Sequence, residues 1–237
     1  MIETSSKDPV QIRRLFDAVA GKYDLLNNVI SLGLHHYWRK YAVNKAGILP
    51  GQSVLDVCCG TGRITGDLAK KTGPSGLVVG LDSAANMLKI AAQRLLCDSN
   101  ARIRLVRADA ANIPFPDNTF HCAMIGYGLR NIAHPGQALA EMRRVVQPGG
   151  RVIALELSQP VTPVIKVLHR FYLTRIIPEL GKYLACNRGA YQYLSQSVAT
   201  FPSPRTMAGI FEKTGLCEVN FVALSWGIVT VYVGTKR

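Results

Sequence analysis

Val54-Leu55-Asp56-Val57-Cys58-Cys59-Gly60-Thr61-Gly62 is the stretch that decides the fold of this 237-residue chain. A short apolar run ends in a glycine turn, and residues 64–71 follow with the make-up of a helix. Strand, glycine turn and helix form the opening unit of a parallel sheet, because the return to a parallel neighbour needs a crossover. The pattern repeats downstream. Residues 77–81 read as a strand ending at Asp82, 84–96 as a helix, and 103–107 as a strand ending at Asp109. Residues 120–125 read as a strand before Gly126-Tyr127-Gly128, 138–146 as a helix closed by Pro148-Gly149-Gly150, and 151–157 as a strand. This alternation predicts an α/β fold with a doubly wound, mostly parallel sheet. Residues 219–224 and 228–233, around Trp226-Gly227, add a terminal antiparallel hairpin, for seven strands in all.

The flanks are helical. Asp8 can cap a helix with Pro9 at its first position and Gln11 reaching back, and Ile12, Leu15, Phe16 and Val19 fall on one face. Residues 23–28 read as a polar-aromatic linker and 34–46 as a second helix ending near Gly47. Residues 163–185 are rich in helix formers, aromatics and bases, with Pro178 expected to kink or end the helix. Further helices are expected over 190–199 and 205–214. The expected organisation is one domain over 1–237: a helical lid (1–48), a core (49–158), a helical insertion (159–215) and the hairpin (216–237).

Composition narrows the function. An apolar fraction of 48% is enough for a full core and excludes a disordered chain. None of the six cysteines sits in a C-x-x-C pair, so neither a structural zinc site nor a disulfide scaffold is expected, and no metal set is assigned. The first ten residues lack an apolar leader and no run of about 18 apolar residues occurs, so a cytoplasmic or peripheral protein is expected. Lys and Arg outnumber Asp and Glu by 28 to 15, a net charge of +13. The excess is weakest in residues 51–100, with five bases against four acids, and strongest in 151–200, with six against two. Nucleic acid, anionic lipid and acidic substrates are the partners such a charge suggests.

The core carries a nucleoside site. Gly60 and Gly62 allow close approach of the backbone to a ligand, and Asp82, 20 positions after Gly62, stands where a carboxylate accepts two ribose hydroxyls. A dinucleotide needs a third glycine where Thr65 stands, with Gly66 off by one. S-adenosylmethionine has no phosphate and fits better. Asp56 is placed to help order the loop and the ammonium end, and Asp109-Ala110 to read the adenine amino group. The set Asp56, Gly60, Thr61, Gly62, Asp82 and Asp109 resembles the class I methyltransferases. Cys58 and Cys59 read as small packing residues beside the turn.

Two longer stretches bear a resemblance that is more specific. Tyr23-Asp24-Leu25-Leu26-Asn27-Asn28-Val29-Ile30-Ser31-Leu32-Gly33-Leu34-His35-His36-Tyr37-Trp38 is similar to the N-terminal signature of the UbiE/MenG quinone C-methyltransferases, with Leu26 in place of the usual Met. Arg144-Val145-Val146-Gln147-Pro148-Gly149-Gly150 through Leu155-Glu156-Leu157-Ser158 resembles the second signature, with Gln147 in place of Lys. Gly128-Leu129-Arg130-Asn131, Tyr193-Leu194 with Ser197, Phe201-Pro202 and Gly227-Ile228-Val229 also match, so the resemblance spans about residues 8–236. It implies methyl transfer from S-adenosylmethionine to a ring carbon of a demethylated isoprenoid quinol, with cofactor contacts at Thr61, Asp82 and Asp109-Ala110. Gly126 replaces a Ser usual in the family, and Arg63 a frequent Asp.

Such a reaction needs alignment, a proton acceptor and donors for a developing oxyanion. Arg130 can hold a phenolate and Asn131 the second ring oxygen, while Tyr23, Asp24 and His35 come from the lid. His35 and a water beside Arg130 are both candidates for the base. Trp38 reads as core or as a platform for the ring. On residues 163–185, Val164, Val167, Leu168 and Phe171 share an apolar face beside Lys166 and Arg170. This face suits either an anionic membrane interface or a lid over the site. The expected partners are the quinol and an anionic membrane at the inner face, with a homodimer open and no nucleic acid. Two alternatives remain: a methyltransferase of the same fold with another small-molecule or lipid acceptor, and a basic nucleic-acid-binding module.

Overall fold

The computed structural model describes residues 8–95, 102–160, 162–177 and 188–237. Its centre is a seven-stranded sheet of order β3-β2-β1-β4-β5-β7-β6. The strands are β1 (Ser53–Val57), β2 (Leu77–Asp82), β3 (Arg102–Arg107), β4 (Phe120–Gly126), β5 (Val146–Leu157), β6 (Cys217–Leu224) and β7 (Val229–Thr235). β1 to β5 run parallel, and β7 enters antiparallel between β5 and β6, with Leu157 opposite Val229 and Arg151 opposite Thr235. The order reverses beside β1, where β2 and β4 flank it, and open sheets of this kind bind ligands at such a switch point.

Strand periodicity builds the two layers. Leu55 and Val57 point into one core with Ile125, Phe211 and Tyr232, whereas Val54 points to the other with Trp38, Leu68 and Met124. Helices α1 (Pro9–Val19), α2 (Tyr23–Ile30) and α3 (Leu34–Lys45) precede the sheet. Between its strands lie α4 (Arg63–Thr72), α5 (Ala85–Leu95) and α6 (Pro135–Val145). Asp8 caps α1 by accepting the Val10 N–H at 2.9 Å. After β5, α7 (Pro163–Phe171) runs into a wide turn, Tyr172–Ile176, and helices Arg188–Thr200 and Pro204–Lys213 follow.

Three elements differ from the sequence reading. Residues 23–28 are helix, not linker. Tyr23, Leu26 and Ile30 recur at helical spacing, Leu26 is buried, and that packing outweighs the weak helix preference of Asn27 and Asn28. The Pro148-Gly149-Gly150 segment belongs to β5, because Gly149 N–H and Gly150 C=O pair with Lys236 near the chain end. The helix begun at Pro163 changes to the wide turn at Tyr172, and the expected kink at Pro178 lies outside the described residues.

Candidate active site

The C-terminal ends of β1 to β4 open onto a cavity of about 570 Å³, roofed by α1 and the start of α2. Gly60, Asp82, Asp109, Ala110, Gly126 and Asn131 line it, with Phe16 and Tyr23 from the lid. Gly60 has φ +54°, and the position a Cβ would take there has no neighbour within 4 Å. The backbone itself is therefore a wall of the cavity. Asp82 accepts the Gly60 N–H at 2.8 Å and the Ala84 N–H at 2.9 Å, one on each oxygen. Each oxygen keeps a second lone pair for a ligand hydroxyl. Burial pushes the Asp82 carboxyl up against the lowering effect of those N–H donors. Asp109 accepts the Ala111 N–H at 2.9 Å, which holds Ala110 in the wall. Beside Gly126, the Ile64 Cδ1 atom stands 2.1 Å from where a Cβ would be, so a Ser at this position requires Ile64 to move.

Gly62, Thr61 and Asp56 lie outside the cavity lining. Gly62, at φ +78°, lets α4 press on α5, since a Cβ would meet Ala91 and Leu95 at 3.0 Å. Asp56 shares the sheet face of Val54 and points at α4, where it accepts the Thr65 hydroxyl at 2.6 Å. Its other oxygen is buried without a hydrogen bond, and burial pushes its pKa up to about 7. Asp56 thus ties β1 to the first turn of α4.

The raised pKa has a stability consequence. Folding favours the protonated Asp56, so stability falls as pH rises from about 4, the unfolded value, through about 7, and stays flat above. Asp56→Asn removes that titration. Denaturant unfolding at pH 5 and pH 8 is expected to show a smaller alkaline loss in the variant by about 2 kcal/mol or more. Equal pH slopes in the two proteins would refute it.

Asp24 and Thr61 tie the lid to the turn. The Thr61 hydroxyl donates to Asp24 at 2.8 Å, and Arg94 donates both to Asp24 and to the Thr61 carbonyl. Arg63 adds a contact to Asp24 at 3.3 Å, which accounts for a base at that position. The neighbouring Tyr23 is thereby held in the cavity wall, half-buried near Arg130 and Glu156, with desolvation pushing its phenol pKa up. His35 is not in the lining. It meets the Ser31 hydroxyl at 2.7 Å and lies against the His36 ring at a tilt of 37°, and burial with the neighbouring cations lowers its pKa to about 4. Trp38 is core, with its indole N–H bound to Ser225 at 2.8 Å.

Arg130 is 5% exposed, and its guanidinium forms an ion pair with Glu156 at 2.6 Å. The same nitrogen donates to the Tyr127 carbonyl at 2.6 Å, and Glu156 also accepts the backbone N–H groups of Arg130 and Leu157. The Asn131 amide donates to the Tyr127 carbonyl at 3.1 Å and accepts the Tyr193 hydroxyl at 3.0 Å. Both side chains are thus pre-positioned by the protein: Asn131 lines the large cavity, whereas Arg130 is not in its lining and borders Tyr23 from the side of α1 and α2. Glu156 is the residue the sequence reading passed over as a site residue. Its signal was a lone carboxylate inside the apolar run 152–157. Tyr127, at φ +58°, takes the left-handed turn that carries the chain from β4 to Arg130.

Comparison with known proteins identifies the family. Residues 3–236 match the model of the ubiE/COQ5 methyltransferase family. The ubiquinone/menaquinone biosynthesis C-methyltransferase UbiE of Hahella chejuensis is 38% identical, over 95% of this chain and 91% of the relative. A demethylmenaquinone methyltransferase of Lactiplantibacillus plantarum is 41% identical, over 95% and 96%. Among solved structures, a possible histamine N-methyltransferase of Thermotoga maritima superposes with a TM-score of 0.66 at 21% identity, covering 95% of this chain and all of that one. That likeness shows the class I methyltransferase fold. The family model and the two relatives, matching nearly end to end, go further: this chain belongs to the ubiE/COQ5 methyltransferase family.

Proposed function

We propose that the protein transfers the methyl group of S-adenosylmethionine to a ring carbon of a demethylated isoprenoid quinol. The carrying observation is that Asp82 and Asp109, suited to a nucleoside, share one cavity with Tyr23 and Asn131. The bare Gly60 backbone and the lone pairs left on Asp82 fit the cofactor's ribose, and Asp109 with Ala110 fits its adenine. The cofactor, when bound, supplies an electrophilic methyl on a sulfonium. The protein's own groups then align the acceptor and stabilise its anion. Tyr23, a phenol protonated at neutral pH, lines the cavity, so its hydroxyl is a donor to a ring oxygen. The Arg130 charge, fixed by Glu156, stands beside Tyr23 and favours a developing phenolate. The proton acceptor is a water at this polar end, since His35 faces Ser31.

Purified protein with S-adenosylmethionine is expected to yield a ring-methylated product from a short-chain demethylmenaquinol or the matching benzoquinol, read by mass spectrometry. Transfer to neither ring would overturn the proposal.

The acceptor is delivered from an anionic membrane surface. On α7, Val164, Val167, Leu168 and Phe171 are 67, 68, 59 and 56% exposed, so they cover no core. Residues 162–177 carry Lys166, Arg170 and Arg175 and no acid. An apolar stripe flanked by bases suits an interfacial helix, each base adding about 1 kcal/mol at an anionic leaflet. No helix among the described residues is long and apolar enough to cross a membrane. Lys166→Gln with Arg170→Gln is expected to weaken binding to vesicles with a quarter phosphatidylglycerol by about tenfold or more. Undiminished binding would remove α7 from this account.

A further inference from the structure

A second, smaller cavity of about 60 Å³ lies between α1, α2 and helix Arg188–Thr200. It shares Phe16 and Tyr23 with the large cavity, so the two meet at the Tyr23 ring. Val19, Leu26, Ile30 and Leu194 make its walls apolar. Leu26, Ile30 and Leu194 in turn pack with Tyr172 and Ile177. The Tyr172 hydroxyl donates to the Ile30 carbonyl at 3.0 Å, and Tyr172 directly follows the last residue of α7. Apolar side chains therefore run from the Tyr23 side of the large cavity, through the small one, to Tyr172, where the chain passes into α7.

We infer that this line is the path of the acceptor's isoprenoid tail, with its proximal unit in the small cavity and the remainder passing over Tyr172 to α7. The inference rests on the quinol reading above and assigns a site to the part of the substrate that does not react. The small cavity, at about 60 Å³, has no room for a two-ring quinol, but a hydrocarbon chain is slim enough to enter it. Its polar lining, Tyr23 with Asn27, Arg130 and Tyr193, includes the one polar residue shared with the large cavity, Tyr23, and so marks the end toward the reacting ring, as a molecule with a polar head and an apolar tail requires. The other end leads to the helix that faces lipid. Each methylene moved from water into such a slot gains about 0.8 kcal/mol, so tail length is read as affinity rather than as chemistry.

Leu194→Trp blocks the slot from its half-exposed wall, and Leu26→Phe narrows it from the buried side should the first variant fold poorly. S-adenosylhomocysteine binding reports an intact fold in both. Two readouts separate the path from the quinol reading. In the first, farnesol, which has a tail and no ring, is titrated by equilibrium dialysis. Saturable one-to-one binding to the wild type, weakened tenfold or more in the variant, is expected. In the second, kcat/KM is compared for reduced 2-geranyl-1,4-naphthoquinone and reduced 1,4-naphthoquinone. The preference for the geranyl acceptor is expected to collapse tenfold or more in the variant, through KM. Farnesol binding that is absent, or equal in wild type and variant, overturns the path while leaving methyl transfer intact. Farnesol binding lost in the variant, together with no quinol methylated by the wild type, upholds the path and overturns the quinol reading.

Discussion

Glu156→Ala is expected to destabilise the protein by about 3–5 kcal/mol, because it removes the carboxylate that faces the buried Arg130 guanidinium. Glu156 is fully buried and accepts three donors: the Arg130 guanidinium at 2.6 Å, the Arg130 N–H at 3.1 Å and the Leu157 N–H at 2.8 Å. Loss of these bonds strands donors without water, which adds to the uncompensated charge. Glu156→Gln separates the two contributions. It keeps a carbonyl acceptor and nearly the same shape but drops the counter-charge, so its loss is expected to be smaller than that of Glu156→Ala. In assays of methyl transfer, Glu156→Gln is expected to lower kcat more than it raises the KM for the cofactor, since Arg130 lies beside Tyr23 and Asp82 does not contact the pair. Urea unfolding and steady-state kinetics measure both. A Glu156→Ala protein within 1 kcal/mol of wild type would show that the pair contributes specificity and no stability.

Asp82→Ala is expected to weaken S-adenosylmethionine binding by at least about a hundredfold. Two hydrogen bonds from hydroxyls to a carboxylate are worth about 1.5 kcal/mol or more each, and about 3 kcal/mol is a factor near a hundred. The variant also leaves the Gly60 and Ala84 N–H groups without their acceptor, so the turn that walls the cavity loosens. Asp82→Asn keeps one acceptor for that turn and is expected to fold like wild type while still losing affinity. Calorimetric titration with S-adenosylhomocysteine reads the difference. Unchanged affinity in both variants would move the ribose away from Asp82.

Most of the sheet was legible because each strand carries its own evidence. A short apolar or alternating run with a turn at its end is a local feature, and β1 to β4 fall within a residue of the expected bounds. The lid was less legible. Residues 23–28 look like a linker by their asparagines, and only the burial of Leu26 against residues far along the chain makes them a helix. The acids divide in the same way. Asp82 ends β2, Asp109 follows β3, and both line the cavity. Asp56 stands within its strand, where the alternation of side chains turns it toward α4. Asp24, adjacent to Tyr23 in the same signature, serves to hold the lid through Thr61 and Arg94.

The opening stretch, Val54 to Gly62, was sufficient for the fold class and for the expectation of a nucleoside site, because strand period, turn glycines and the spacing to Asp82 are properties of neighbours along the chain. Which of its residues face the cavity was not. Gly60 borders the cavity, while Gly62 borders α5 and Thr61 borders Asp24. The Arg130–Glu156 pair and the line from Tyr23 to α7 join positions tens to more than a hundred residues apart, and such contacts exist only once the sheet and its lid have closed.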